Sequence, residues 1–167
     1  SKSKTIDILI NNAGIYGPIG SFLDNDFNEW KNAINTNLIA AANITHTVLP
    51  IMLKNNFGRV FNIAGGGASK GFPYYSSYAT SKTALVRFTE TIAHEIKNSN
   101  ITVNAISPGF LATDIHNETI SAGRDKAGEF FIETQKNLKN GGQDPLKTFN
   151  FIKKLSEPDC KINGRFM

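Results

Sequence analysis

At 167 residues the chain has the length of one domain, and less than some folds require. With 40% hydrophobic and 19% charged residues, 14 Gly and 6 Pro, it falls outside the disordered and fibrous classes. The formal charge of +4 comes from scattered Lys and Arg without a dense basic block, so nothing points to a nucleic-acid groove.

Residues 5–10 (TIDILI) form a short apolar, β-branched run ending at Asn11-Asn12-Ala13-Gly14, which predicts a strand entering a loop. Over 26–54, Phe27, Trp30, Ile34, Leu38, Thr45, Val48 and Met52 recur at helical spacing. Residues 59–64 (RVFNIA) read as a second strand, stopped by Gly65-Gly66-Gly67. A second long helix is expected over 78–98, with Leu85, Phe88, Ile92 and Ile96 on one face that packs on the sheet. Residues 101–107 (ITVNAIS) are a third strand, ended by Pro108-Gly109. A polar helical region follows over 117–138, broken at Asn140-Gly141-Gly142. Asp144 caps a helix to about Leu155, and 161–167 reads as a last strand.

Strand, helix, strand, helix, strand is the order of an α/β fold with a parallel sheet and crossover helices. The strands are apolar at nearly every position, as expected when both sheet faces are covered. Ligands of such sheets bind outside the carboxyl ends of the strands. The small-residue loops NNAG, AGGGAS and SPGF fall at those ends and are expected to line one crevice. Tyr78 and Lys82, in Tyr78-Ala79-Thr80-Ser81-Lys82, lie four apart and share a helix face. A free tyrosine has a pKa of ~10, and a nearby cation favours the phenolate. Such a pair can exchange a proton with a substrate hydroxyl or carbonyl.

A strand ending in NNAG, NTNL inside the next helix, YxxxK opening the following one, then SPG with Thr113 four residues after its glycine, occur here in one order. This ordered set resembles the short-chain dehydrogenase/reductase family over 6–167. The resemblance implies a Rossmann-like, doubly wound parallel sheet and an oxidoreductase that uses NAD or NADP on a small carbonyl or alcohol substrate. It implies that Tyr78 is the catalytic acid/base, and that Lys82 lowers the tyrosine pKa and bonds the nicotinamide ribose. By the same resemblance Asn37 holds a water in a proton relay. Asn11, Ala13 and Gly14 match the loop beside the adenine ribose, and Pro108, Gly109 and Thr113 the segment that cradles the nicotinamide. A homodimer or homotetramer through the two long helices is also implied.

The sequence departs from the family in two ways. The family opens with a strand, a TGxxxGxG loop and a helix whose N-terminus holds the pyrophosphate. Residues 1–167 are therefore expected to be a partial domain, from the fourth strand to the last, of a protein of roughly 250 residues. This segment alone is expected to be inactive and to bind no dinucleotide. The family also places a serine about thirteen residues before its tyrosine; here Ala64 and Gly65 stand in that region, with Ser69 or the Gly66 and Gly67 amides as candidate substitutes. A catalytically degraded sensor or scaffold that binds a dinucleotide is the alternative. An unrelated Rossmann-like binding module would require Tyr78, Lys82 and Asn37 to diverge in space.

Other signals are bland. No apolar run approaches the roughly 20 residues of a membrane span, and no secretory signal is visible, so a cytoplasmic protein with no membrane partner is expected. A single cysteine, Cys160, forms no internal disulfide, and no metal-ligand spacing is present. His46, His94 and His116 show no metal-ligand spacing and read as ordinary helix or loop residues, and the NxT sequons at Asn43, Asn100 and Asn117 as chance. The region 111–140 is expected to form part of the substrate pocket, and Phe110, Ile115, His116, Phe130 and Phe131 in and beside it suggest small or medium, partly apolar ligands.

Overall fold

The computed structural model describes residues 5–167. Its elements in chain order are β1 (Ile8–Asn11), α1 (Phe27–Ile34), a π-helical turn (Asn35–Ile39), α2 (Ala40–Lys54), β2 (Gly58–Ile63), a 3-10 turn (Gly66–Ala68), α3 (Ser76–Glu95), β3 (Ile101–Ile106), α4 (Ile115–Ala127), α5 (Glu129–Lys139) and α6 (Pro145–Ser156). The strands form one parallel sheet in the order β1-β2-β3. Ile8 pairs with Arg59, and Gly58 with Ile101, so the carboxyl ends of all three strands emerge on the same side. The α/β fold with a parallel sheet and crossover helices is the one expected.

β2 and β3 are covered on both faces, while Ile8 and Ile10 of the edge strand β1 are each 47% exposed. One core cluster joins Val48 and Met52 of α2 to Val60, Val103 and Ala93. Each fully buried Val or Met side chain contributes about 1.5–3 kcal/mol. A second cluster, on the other face, joins Phe61 and Ile106 to Leu155 of α6. Between the helices and the sheet runs a polar ladder. The Asn11 amide donates to Asn62 Oδ1 at 2.7 Å and to Thr45 Oγ1 at 3.0 Å, and the Asn62 amide donates to Thr89 Oγ1 at 2.8 Å. Buried polar groups of this kind need partners, and meeting them fixes α2 and α3 against the strands.

Arg59 is fully buried without a carboxylate partner among the described residues. Its guanidinium donates to the carbonyls of Gly58, Asn100, Glu157 and Pro158, which ties the end of α6 to the sheet. Asp26 caps α1 by accepting from the Asn28 and Glu29 amides, and Asp144 caps α6 by accepting from Leu146.

Several boundaries differ from the sequence reading. β1 begins at Ile8, and α3 begins two residues before Tyr78, which places the tyrosine in its first turn. The helical region after Thr113 kinks at Gly123, inside α4, and divides at Gly128; their φ values of +75° and +61° are ones an L-residue rarely adopts. The expected last strand is a single parallel bridge, Ala105 to Phe166. Backbone amides of Gly164 and Met167 donate to the Val103 and Ala105 carbonyls, those of Ala105 and Ser107 donate to Arg165 and Met167, and Asn163 Oδ1 accepts from the Val103 amide at the start of this pairing. Finally, Phe27–Lys54 is long and apolar enough to cross a membrane. The search for unbroken apolar runs misses it because Asn32, Asn35, Asn37 and Asn43 interrupt the stretch. In this fold α2 instead packs on β1 and β2.

Candidate active site

A cavity of about 1110 Å³ opens at the carboxyl ends of the strands, lined from all three strand-end loops by Asn12, Gly14, Ala64 to Gly67 and Ser107 to Gly109. Ligand pockets commonly hold several hundred Å³, so the volume suffices for a large ligand.

Tyr78 and Lys82 reach this cavity from one face of α3. The Tyr78 hydroxyl donates to the Ala64 carbonyl at 3.4 Å, and the Lys82 ammonium donates to the Ile63 carbonyl at 2.8 Å. The ammonium lies 5.8 Å from the centre of the Tyr78 ring. The cation shares the face of Tyr78 and is bonded to the end of β2. Burial pushes the Tyr78 phenol up to about 12 and the Lys82 ammonium down to about 8. At neutral pH the phenol keeps its proton.

Asn37 sits in the π-helical turn, where one extra residue per turn swings its side chain inward. Its Oδ1 accepts from the Ile15 amide at 2.8 Å, while its Nδ2 donates to the Ile15 carbonyl and to Ser81 Oγ, each at 2.9 Å. Ser81 Oγ in turn donates to the Tyr78 carbonyl at 2.8 Å. Both amide hydrogens are therefore committed, and Asn37 locks the loop after β1 to the first turn of α3. A Cβ on Gly14 would stand 3.0 Å from Lys82 Nζ and 3.4 Å from Asn37 Oδ1. Glycine is what lets loop, lysine and asparagine converge.

The remaining expected residues divide. Asn11 is buried in the polar ladder and Ala13 is exposed, while Gly14 lines the cavity as expected, joined by Asn12 of the same loop. Pro108, Gly109 and Thr113 line its other side, beside Ser107. Ala64 is buried under Tyr78, and Gly65 has φ +99° and ψ 172°, a region essentially reserved for glycine. A Cβ at Gly65 would stand 2.6 Å from the Tyr78 hydroxyl oxygen. Serine therefore does not fit at 65 without moving Tyr78. The Ser69 hydroxyl is exposed and donates to the Gly66 carbonyl at 2.9 Å.

Phe110, Ile115, His116 and Phe130 of the expected pocket region line the cavity, while sequence reasoning missed Tyr16, Phe72 and Tyr75. Tyr16 packs edge-on to Tyr78 with ring centres 4.9 Å apart, and Phe72, Tyr75 and Phe130 continue the cluster. His116 holds its Nδ1 3.0 Å from the Tyr16 hydroxyl. The available signal was Tyr16 itself, an amphipathic ring two residues beyond NNAG.

A model of the short chain dehydrogenase family matches residues 1–123. The 3-oxoacyl-(acyl-carrier-protein) reductase of Synechocystis sp. is 37% identical over 114 residues, covering 68% of this chain and 46% of that protein. Acetoacetyl-CoA reductase of Cupriavidus necator is 37% identical over 115 residues, covering 69% of this chain and 46% of that protein. Among solved structures, an actinorhodin polyketide ketoreductase variant with NADPH matches with a TM-score of 0.84 at 26% identity, covering 98% of this chain and 65% of that one. The chain spans about half the length of the curated relatives it matches.

Proposed function

The chain belongs to the short-chain dehydrogenase family, and from that premise we propose that the intact protein transfers a hydride between NAD or NADP and a small carbonyl or alcohol substrate, with Tyr78 passing the proton. The observation that carries this reading is the convergence of the Tyr78 hydroxyl, the Lys82 ammonium and the Gly14 loop on one large cavity. The residues fit a nicotinamide dinucleotide: the Gly14 cradle leaves Lys82 Nζ uncovered by any Cβ, and Asn12, Pro108, Gly109 and Thr113 surround the same space. When bound, such a cofactor supplies or accepts the hydride.

The protein's own part is orientation and proton transfer. With its pKa pushed to about 12, Tyr78 keeps its proton at neutral pH and can donate it to a substrate oxygen as negative charge develops there. Lys82, anchored by Ile63, stabilises the phenolate that remains, and from the cavity lining its ammonium would hold a ribose hydroxyl of the cofactor. Asn37 and Ser81 fix the backbone of Tyr78. Relatives described as a 3-oxoacyl-(acyl-carrier-protein) reductase and an acetoacetyl-CoA reductase support a carbonyl substrate. A homodimer or homotetramer through the long helices is part of the proposal, supported by Ile39, Ile44 and Leu53, which are about half exposed along Phe27–Lys54.

One observation favours a second reading, a dinucleotide-binding sensor or scaffold: no hydroxyl stands at Ala64 or Gly65 beside Tyr78. Titration of the intact protein with NADH and NADPH, followed by a turnover assay on a panel of ketones, separates the two. An enzyme binds and consumes the cofactor. A sensor binds it and leaves it unchanged, and absence of binding contradicts both.

A further inference from the structure

The wall of the cavity facing α3 holds a hydrogen bond that the proposed chemistry does not use. The Tyr16 hydroxyl and His116 Nδ1 lie 3.0 Å apart, joining the loop after β1 to the first turn of α4. Both side chains are more than nine-tenths buried, and both line the cavity. Tyr16 meets Tyr78 edge-on at 4.9 Å, and His116 is stacked on Phe110 at 3.8 Å. A second phenol pins the same helix: the Tyr75 hydroxyl is 2.8 Å from Thr119 Oγ1. Phe130 of α5 closes the box, edge-on to Phe72 at 4.7 Å and to Tyr16 at 6.4 Å.

We infer that the Tyr16–His116 pair is a positioning element that fastens the α4–α5 wall at a set distance from Tyr78, and so sets how a carbonyl substrate seats against that ring. Tyr16 is at once the partner of His116 and the ring against Tyr78, so any shift of α4 moves the surface on which a substrate would lie. Its hydroxyl is committed to His116, which leaves the ring itself for dispersion contact with the substrate.

The kinetic arm of the test rests on the proposed reaction; the proteolytic arm does not. Tyr16→Phe and His116→Phe are made singly and together in the intact protein, with His116→Asn as a variant that keeps a polar group near the Nδ1 position. Trypsin cleavage at the exposed Arg124 and Lys126 of α4 reports how firmly that wall is held. Each single change is expected to speed this cleavage about tenfold, with the double variant no faster than either and His116→Asn recovering most of the loss. Against an aryl methyl ketone, KM is expected to rise about tenfold while kcat falls less than about threefold. Additive cleavage rates in the double variant, or a loss confined to kcat, overturn the inference. If wild-type protein turns over no ketone, the proposed reaction fails, and the cleavage coupling still decides whether the pair holds the wall.

Discussion

Replacing Gly65 with alanine tests how tightly the strand end is built around Tyr78. The residue sits at φ +99° and ψ 172°, where an L side chain costs about 1–3 kcal/mol. The new Cβ would also stand 2.6 Å from the Tyr78 hydroxyl oxygen, and relieving such an overlap costs about 1–3 kcal/mol more. A loss near 3 kcal/mol is the expectation after partial relaxation, at about that order. Unfolding entropy scales with length, so 167 residues give about 0.35 kcal/mol per degree. Tm should therefore fall by about 9 °C. Gly66→Ala is the internal control, because nothing lies within 4 Å of a Cβ there. Its Tm should stay within about 2 °C of the parent. Thermal unfolding by circular dichroism reads both. Equal melting of the two variants would refute the close approach of Gly65 to Tyr78.

Three further outcomes follow, two from buried cations and one from an exposed helix cap. Lys82→Met should stabilise the protein by about 2 kcal/mol at pH 7, after subtracting the lost bond to Ile63. The buried ammonium has its pKa lowered from 10.5 to about 8, so the parent carries the full burial penalty below pH 8 and sheds it as pH rises toward 10.5. The advantage of the variant, followed by Tm against pH, should fade over that window, and a gain that is flat with pH contradicts it. Arg59→Ala removes the donor shared by four carbonyls and should cost about 4 kcal/mol in chemical denaturation, with α6 released first in hydrogen exchange. Asp26→Ala removes the cap of α1 and should lower stability by about 1 kcal/mol in the same denaturation assay.

Much of this architecture is legible in the sequence because local signals and burial agree. The β-branched runs that become β2 and β3 are covered on both faces, and Asp144 followed by Pro145 caps α6 as its chemistry predicts. Tyr78, Lys82 and Gly14 converge because an i, i+4 pair and a strand-end loop have few other places to go. Three-dimensional context decides the rest. Asn11 carries the same side chain as Asn12, but strand alternation turns the first into the polar ladder and leaves the second beside the cavity. Spacing shows the cation near Tyr78, while the depth of burial that pushes its phenol up to about 12 comes only from the fold. The 111–140 region is legible as a pocket wall, but the pairing of Tyr16 with His116 is not, since 100 residues separate two partners joined only by folding.

The central claim is that Tyr78 passes the proton, and Tyr78→Phe in the intact protein tests it most directly. Phenylalanine keeps the ring against Tyr16 and removes the hydroxyl bonded to the Ala64 carbonyl. Loss of that proton transfer should lower kcat by at least about 100-fold, while the affinity for NADH or NADPH, measured by titration, changes less than about threefold. Turnover at the parent rate with the phenylalanine in place would contradict the account.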